Sequence, residues 1–168
     1  VKPLEIDSDS FGNLYILGSV NKQNNSDPAM DTREDFLGNT LTVLTSTGTH
    51  TRTIEIADSS TGSSLISNRE HISTSSNGTT LINTTNAAFL IDNLGNIKTL
   101  ISDPIKNDYG SQLRSSTFYD GNFYLQHGGN ILRYNESGDL QQTINSGWDN
   151  IGSNMSGDGI QFDVGQDI

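Results

Sequence analysis

The stretch "NILRYNESGDLQQTI", residues 130–144, decides the fold because it describes a hairpin that occurs more than once in the chain. Two runs of alternating apolar and polar residues flank a Ser-Gly-Asp turn, which is the pattern of two half-buried antiparallel strands. The same pattern occurs in "AAFLIDNLGNIKTLI", residues 87–101. The chain therefore contains an internal repeat, and the period of that repeat indicates the architecture.

The turn glycines of these hairpins give the period. Gly48, Gly95 and Gly138 each lie between two apolar runs, and they are 47 and 43 residues apart. A second series of glycines precedes a short apolar strand in each unit, at Gly12, Gly78, Gly121 and Gly165. Each unit thus predicts four short strands, and a four-stranded repeat of about 43 residues is typical of a β-propeller blade.

The predicted fold is all-β: one domain, residues 1–168, in which four-stranded antiparallel blades form a β-propeller-like array. About three blades are complete and a fourth has only begun. Their predicted boundaries are, in order, about 4–57, 65–102, 112–145 and, for the incomplete blade, 159–168. We expect such a chain to be a fragment whose ring is completed by the remaining blades of a parent protein or by another protein.

The first blade is longer than the others because it contains a polar, charged insertion at residues 19–37. The strands predicted on either side of it are Leu14–Gly18 and Leu41–Thr45. Polar composition and a proline are typical of a surface excursion, so we expect the whole insertion to lie outside the sheet.

Charge and composition exclude several classes of function. The formal charge is −11, from 20 acidic and 9 basic residues, and it repels the phosphate backbone, so nucleic acid is not an expected partner. No run approaches the roughly 20 apolar residues that cross a bilayer, so membrane insertion is not expected either. The chain has no cysteine, which excludes disulfides and thiolate metal sites.

Two motifs resemble a known repeat family. The stretch "IDSDSFGNLYILGS", residues 6–19, followed later by "ILRYNESGDLQQTI", residues 131–144, resembles the seven-bladed-propeller (SBBP) and NHL-type repeats. Blades of those repeats carry an acidic residue, Gly-Asn, an aromatic residue and later a Tyr-Asn-x-x-Gly-x-Leu hairpin. The resemblance implies a propeller of the kind often found in secreted or surface-attached bacterial proteins. It implies no single activity, since propellers host many functions.

The favoured function is therefore non-catalytic. We expect a secreted or cell-surface module that binds a protein or glycan partner, or that enters an extracellular assembly, including self-association through open strand edges. Trp148 either packs under its own loop or offers a platform for a sugar ring. The predicted binding residues are Asp31, Arg33, Phe36 and Trp148.

Two other classes of function remain open. A propeller enzyme of the lactonase, lyase or glycosidase type would need acid, base or metal-binding groups on the first strands near the axis. The candidates at those positions are Glu5, Asp7, His71 and Asp163. A phage or surface fibre module shares the polar β composition, but its chains would wind as a trimer instead of forming radial blades.

A weak Ca²⁺ site is the one cofactor prediction. The stretch "DSDSFGN" offers oxygen ligands from Asp7, Asp9 and Asn13, and hard cations bind several such oxygens. The alternative is that these side chains make the side-chain-to-backbone hydrogen bonds typical of Asp and Asn in turns.

Overall fold

A computed structural model describes residues 2–22, 35–56, 71–84, 87–102 and 113–145. All regular secondary structure within these ranges is β-strand. The strands form three separate four-stranded antiparallel sheets, and in each sheet the spatial order of the strands follows their order in the chain. The prediction of an all-β array of four-stranded blades is thereby confirmed.

Each sheet is one blade. Blade 1 consists of β1 Lys2–Ser8, β2 Leu14–Lys22, β3 Asp35–Leu44 and β4 His50–Ile56. Blade 2 consists of β5 His71–Thr74, β6 Thr80–Asn83, β7 Ala87–Ile91 and β8 Ile97–Ser102. Blade 3 consists of β9 Leu113–Tyr119, β10 Asn122–His127, β11 Asn130–Asn135 and β12 Leu140–Asn145.

The three outer-hairpin glycines occupy equivalent turns, as the repeat predicted. Gly48, Gly95 and Gly138 connect the third and fourth strands of their blades and have φ values of +83°, +93° and +75°. Each donates its backbone N–H to the carbonyl oxygen three residues earlier. Glycine adopts this left-handed conformation without the steric cost that a Cβ atom imposes, so the repeated glycine marks the same turn in every blade.

The strand boundaries next to the insertion were predicted wrongly. β2 continues past Gly18 to Lys22, and β3 begins at Asp35. Asn21 pairs with Phe36 and Lys22 pairs with Asp35 beyond a bulge at Leu37 of β3. Backbone pairing tolerates polar side chains, so the polar composition of 19–37 gave no sign that both of its ends are strand. We call the paired segments 19–22 and 35–38 the ribbon.

The blades pack face to face, and the first strands lie side by side, with β1 against β5 and β5 against β9. One apolar core joins blades 1 and 2, and a second joins blades 2 and 3. Alternate residues of β6 point to different cores, with Ile82 in the first and Leu81 in the second. Strands that converge at the first strand and stack through such cores form a β-propeller-like array.

The two ends of the array differ. Tight turns join the first strand to the second and the third to the fourth, so in an antiparallel blade they lie at one end, which we call the turn end. The opposite end, which we call the connection end, holds the start of β1, the start of β5 and the ribbon, whose Lys22 and Asp35 flank residues 23–34 of the insertion.

Several predicted features fall outside the described residues. They are the incomplete fourth blade at 159–168 and the side chains of Asp31, Arg33, Trp148 and Asp163. Phe36 is described only through its backbone, which is paired in β3. Among the residues that are described, no helix has the length and apolar character to cross a membrane.

Candidate functional site

Glu5 and His71 form an ion pair between two neighbouring first strands. Glu5 lies on β1 and His71 opens β5, and the two strands are adjacent near the axis of the array. The distance from His71 Nδ1 to Glu5 Oε1 is 3.3 Å, and both side chains are partly exposed. Glu5 pairs with Leu17 of β2, which lies in the core between blades 1 and 2, so Glu5 is on the face of β1 toward blade 2. We call these two residues the axial pair.

The axial pair favours a protonated imidazole. The hydrogen bond with Glu5 raises the pKa of His71, burial lowers it, and the negative charge of Glu5 raises it further, so that the pKa lies above its usual value. A carboxylate within about 4–6 Å stabilises the charged form in this way. The pair therefore holds a proton between a carboxylate and an imidazole, which is the arrangement of an oriented general base or acid.

The second carboxylate oxygen of Glu5 is buried. Within the described part of the chain, Oε2 accepts no hydrogen bond. A buried acceptor without a donor costs about 1–3 kcal/mol, and a water molecule or a ligand donor that reached it would recover part of that cost. The buried Oε2 of Glu5 is thus an acceptor beside His71 for which the described residues supply no donor.

Asp7 lies on the same strand and has a different role. Its Oδ2 accepts a hydrogen bond from the backbone N–H of Thr74, at 2.6 Å, which ties β1 to β5. Of the four residues predicted for an enzyme, the structure therefore brings Glu5 and His71 together and places Asp7 in a contact between blades. Asp163 is outside the described residues.

The carboxylate of Asp9 is occupied by its own turn. Oδ1 accepts hydrogen bonds from the backbone N–H groups of Phe11 and Asn13, and Oδ2 accepts them from Asn13 Nδ2 and Tyr15 Oη. Burial raises the pKa of Asp9, but these hydrogen bonds lower it by more, and the result is a pKa below the usual value. A Ca²⁺ ion at Asp7, Asp9 and Asn13 would have to compete with these bonds. No group of three or more His, Asp or Glu residues in the described ranges is placed to hold a metal ion.

The Asp9 turn is one of five copies of a single structure in the described part of the chain. In each copy the first residue accepts the backbone N–H of the fifth through its side-chain oxygen, and the fourth residue is a glycine. The five turns are Asp9–Asn13, Thr45–Thr49, Ser75–Thr79, Asp92–Asn96 and Asn135–Asp139. The sequence analysis used the glycines of these turns but missed the first residue, whose side-chain oxygen accepts the backbone N–H of the fifth. The recurring signal was an Asp, Asn, Ser or Thr three residues before glycine.

Comparison with known proteins identifies no family. No family model matches the chain, and no curated protein matches it. Among solved structures, the chain is similar to one described as a nidogen/laminin complex, with 13% identity and a TM-score of 0.48, over 86% of this chain and 47% of that one. It is also similar to a streptogramin B lyase structure, with 17% identity and a TM-score of 0.45, over 83% and 53% of the two chains. The chain spans about half the length of both structures. The resemblance to SBBP and NHL-type repeats stays a prediction.

Proposed function

We propose that this chain is a non-catalytic secreted or cell-surface module that binds a protein or glycan partner at its connection end. The observation that supports the proposal most is the ribbon, in which β2 and β3 stay paired up to the residues on either side of segment 23–34. Among the described residues, β1 pairs with β2 as far as Lys2 and Ser19, and the pairs Asn21–Phe36 and Lys22–Asp35 lie beyond that point. The ribbon thus holds the two ends of a charged segment next to each other at the connection end.

The chemistry of this segment fits recognition. The ribbon flanks a segment that combines acidic residues with Arg33, and its β3 strand includes Phe36, next to the last pair, Lys22–Asp35. Arginine and aromatic residues are enriched among the residues that dominate binding energy at interfaces. The remaining part of the proposed site is Asp31, with Trp148 as a separate aromatic contact.

A matched pair of phenylalanine variants tests the proposal. The labelled chain is applied to a glycan microarray and to a panel of immobilised, purified extracellular proteins. Phe36→Ala and Arg33→Glu should each weaken any binding by tenfold or more, which corresponds to about 1.4 kcal/mol. Phe11→Ala, which removes an exposed aromatic ring at the turn end, should leave it unchanged. No binding on either panel, or equal losses for Phe36→Ala and Phe11→Ala, would refute the proposal.

An enzyme is the second candidate, and the axial pair favours it. A His71 imidazole oriented by Glu5 is suited to general acid or base catalysis of ester, lactone or glycoside cleavage. Hydrolysis of p-nitrophenyl acetate and of a simple γ-lactone should then depend on His71 and be lost in His71→Asn. His50→Asn is the control, because His50 is an exposed histidine on β4. Turnover that is equal in the two variants excludes this candidate.

The described structure bears differently on a Ca²⁺ site and on a trimeric fibre. Ca²⁺ binding at Asp7, Asp9 and Asn13 remains a proposal, supported by the net charge of −11 and by three oxygen-bearing side chains in one short stretch. Titration calorimetry with CaCl₂ on the chain and on Asp9→Asn tests it.

The fibre alternative depended on trimeric winding, and the described sheets form radial blades instead, so the structure gives it no support.

A further inference from the structure

The interface between blades 1 and 2 has a simple residue pattern. Each blade has a leading face toward the next blade in the chain and a trailing face toward the preceding one. Blade 1 contributes Tyr15, Leu41 and Ile54 from its leading face to the first core. Blade 2 contributes the residues of its trailing face, which are Ile72, Ile82 and Ile91.

The leading face of blade 3 repeats the leading face of blade 1. Ile131 pairs with Ile144, as Leu41 pairs with Ile54, and Tyr124 stands one pair further along β10, in the register of Tyr15. Ile144 is 37% exposed, whereas its counterpart Ile54 packs against the first core. Ile144 is thus the exposed member of a face in blade 3 whose counterpart in blade 1 packs against the next blade.

The trailing face of blade 1 repeats the trailing face of blade 2. Ile6 pairs with Ile16 in blade 1, as Ile72 pairs with Ile82 in blade 2. Ile6 is 57% exposed, whereas Ile72 is 8% exposed in the first core. The two outer faces of the array thus carry apolar residues at the positions where internal faces meet.

The turns between the third and fourth strands of blades 2 and 3 show which side chains of the preceding blade they contact. A Cβ atom on Gly95 would lie 3.5 Å from the side chain of Ile54 in blade 1, and one on Gly138 would lie 2.7 Å from Leu100 in blade 2. Each of these turns therefore rests on an apolar residue in the fourth strand of the preceding blade. A Cβ on Gly48, in the same turn of blade 1, would meet nothing within 4 Å. The position beside Gly48 that a preceding blade's fourth strand occupies at the other two turns is therefore open.

A polar contact repeats with the same period. Arg52 donates from its guanidinium to the carbonyl of Asn93 in the turn of blade 2, and Lys98 donates to the carbonyl of Ser137 in the turn of blade 3, at 2.8 Å. Arg52 pairs with Val43, and Lys98 pairs with Leu90. Gln142 pairs with Arg133 at this register in blade 3, so a side-chain donor stands on the leading face of that blade as well.

We propose that copies of this chain associate head to tail, with the leading face of blade 3 packed on the trailing face of blade 1 of a second copy. The contact continues the interface that the chain already makes twice within itself, with Ile144 beside the Gly48 turn and Ile6 beneath Tyr124. It uses sheet faces and is distinct from pairing at strand edges. Because the two surfaces differ, the association is heterologous and builds a ring or an open array. Arg133 and Gln126 replace Val43 and Leu17 at this contact, so it is more polar than the internal ones and reversible.

Two single variants and their mixture test this proposal. Sedimentation velocity of the chain over a wide concentration range should show reversible association above the 18.2 kDa monomer. Ile6→Glu and Ile144→Glu should each weaken it by at least about tenfold, because each buries a carboxylate in an apolar contact. Mixing the two variants should restore a one-to-one complex, since each retains the face that the other has lost. Leu94→Glu is the control, because Leu94 is 81% exposed at the tip of a turn and lies on neither face.

Each result of these experiments either supports or overturns the association. Both isoleucines are exposed in the single chain, so the variants should keep the wild-type near-UV circular dichroism and thermal midpoint at low concentration. A chain that stays monomeric at every concentration overturns the proposal, as would Ile6→Glu and Ile144→Glu variants that associate like Leu94→Glu. A mixture of folded variants that fails to associate also overturns it, because the contact would then not join these two different faces. None of these results depends on a glycan or protein ligand.

Discussion

Replacing Gly78 by alanine should destabilise the array through a contact between blades. Gly78 lies in the β5–β6 turn with φ +85°, and a Cβ atom there would lie closer than 3.0 Å to Tyr15 Oη of blade 1. The left-handed backbone costs an alanine about 1–2 kcal/mol. Restriction of the unfolded chain returns about 0.4–1 kcal/mol. Forcing the tyrosine aside adds about 1–3 kcal/mol.

Gly48→Ala is the matched control for this prediction. Gly48 has nearly the same φ, +83°, in the same kind of turn, but its Cβ would have open space within 4 Å. Gly48→Ala should therefore carry the cost of the left-handed backbone and the gain from restricting the unfolded chain, but no clash with another side chain. The difference in the free energy of unfolding between the two variants, about 1–3 kcal/mol, isolates the contact with Tyr15.

A double-mutant cycle completes the test. Tyr15→Phe removes the hydroxyl, so that the nearest tyrosine atom to the new methyl would be Cζ, at 3.4 Å. It also loses the hydrogen bond from Tyr15 Oη to Asp9 Oδ2, at 3.2 Å, which is worth about 1.5–3 kcal/mol for a charged acceptor. In urea unfolding, Gly78→Ala should then cost less in the Tyr15→Phe background than in the wild type. Equal losses for Gly78→Ala and Gly48→Ala, or purely additive losses in the cycle, would show that the blades do not meet at this atom.

Three further predictions concern pH and the insertion. The lowered pKa of Asp9 contributes stability that is present above its unfolded pKa, about 3.9, and that is lost as the pH falls through the folded pKa. The thermal midpoint should therefore fall less steeply between pH 5 and pH 2 in Asp9→Asn than in the wild type. The raised pKa of His71 contributes stability that is present below its unfolded pKa, about 6.5, and that is lost as the pH rises through the folded pKa. Glu5→Gln should lower the pKa that an NMR titration of His71 reports. An unchanged pKa would contradict the ion pair. Deleting residues 23–34 and closing the ribbon with a two-residue turn should leave the thermal midpoint within a few degrees of the wild-type value, because the free energy of unfolding depends only weakly on loop length. Loss of the cooperative thermal transition would instead show that the insertion is part of the core.

The sequence predicted the blades well because their signals are local. β7 follows from a short apolar run and β11 from an alternation of buried and half-buried residues, each followed by a turn glycine that is visible within about fifteen residues. The ends of β2 and β3 were missed because the pairs Asn21–Phe36 and Lys22–Asp35 are polar and depend on the backbone alone. No alternation marks them.

The candidate site was predicted residue by residue and not as a pair. Glu5 and His71 were both assigned to first strands, but their 3.3 Å contact depends on how two blades are offset along the axis. From the sequence, Asp9 could have held a cation or capped a turn, and the contacts of Asn13 and Tyr15 with the same carboxylate favour the turn. Such contacts between blades have no signature within one repeat.

The burial of blade 2 on both faces has a consequence for how the chain folds. All strand pairing in the described sheets is local within a blade, but β6 is buried along its whole length only when both neighbours are in place. In a linear array of repeats, structure nucleates in one unit and propagates to the next. Blade 2 is then the unit through which propagation must pass, and a destabilising substitution at Leu81 or Ile82 should uncouple blade 1 from blade 3. Unfolding would change from one cooperative transition to two.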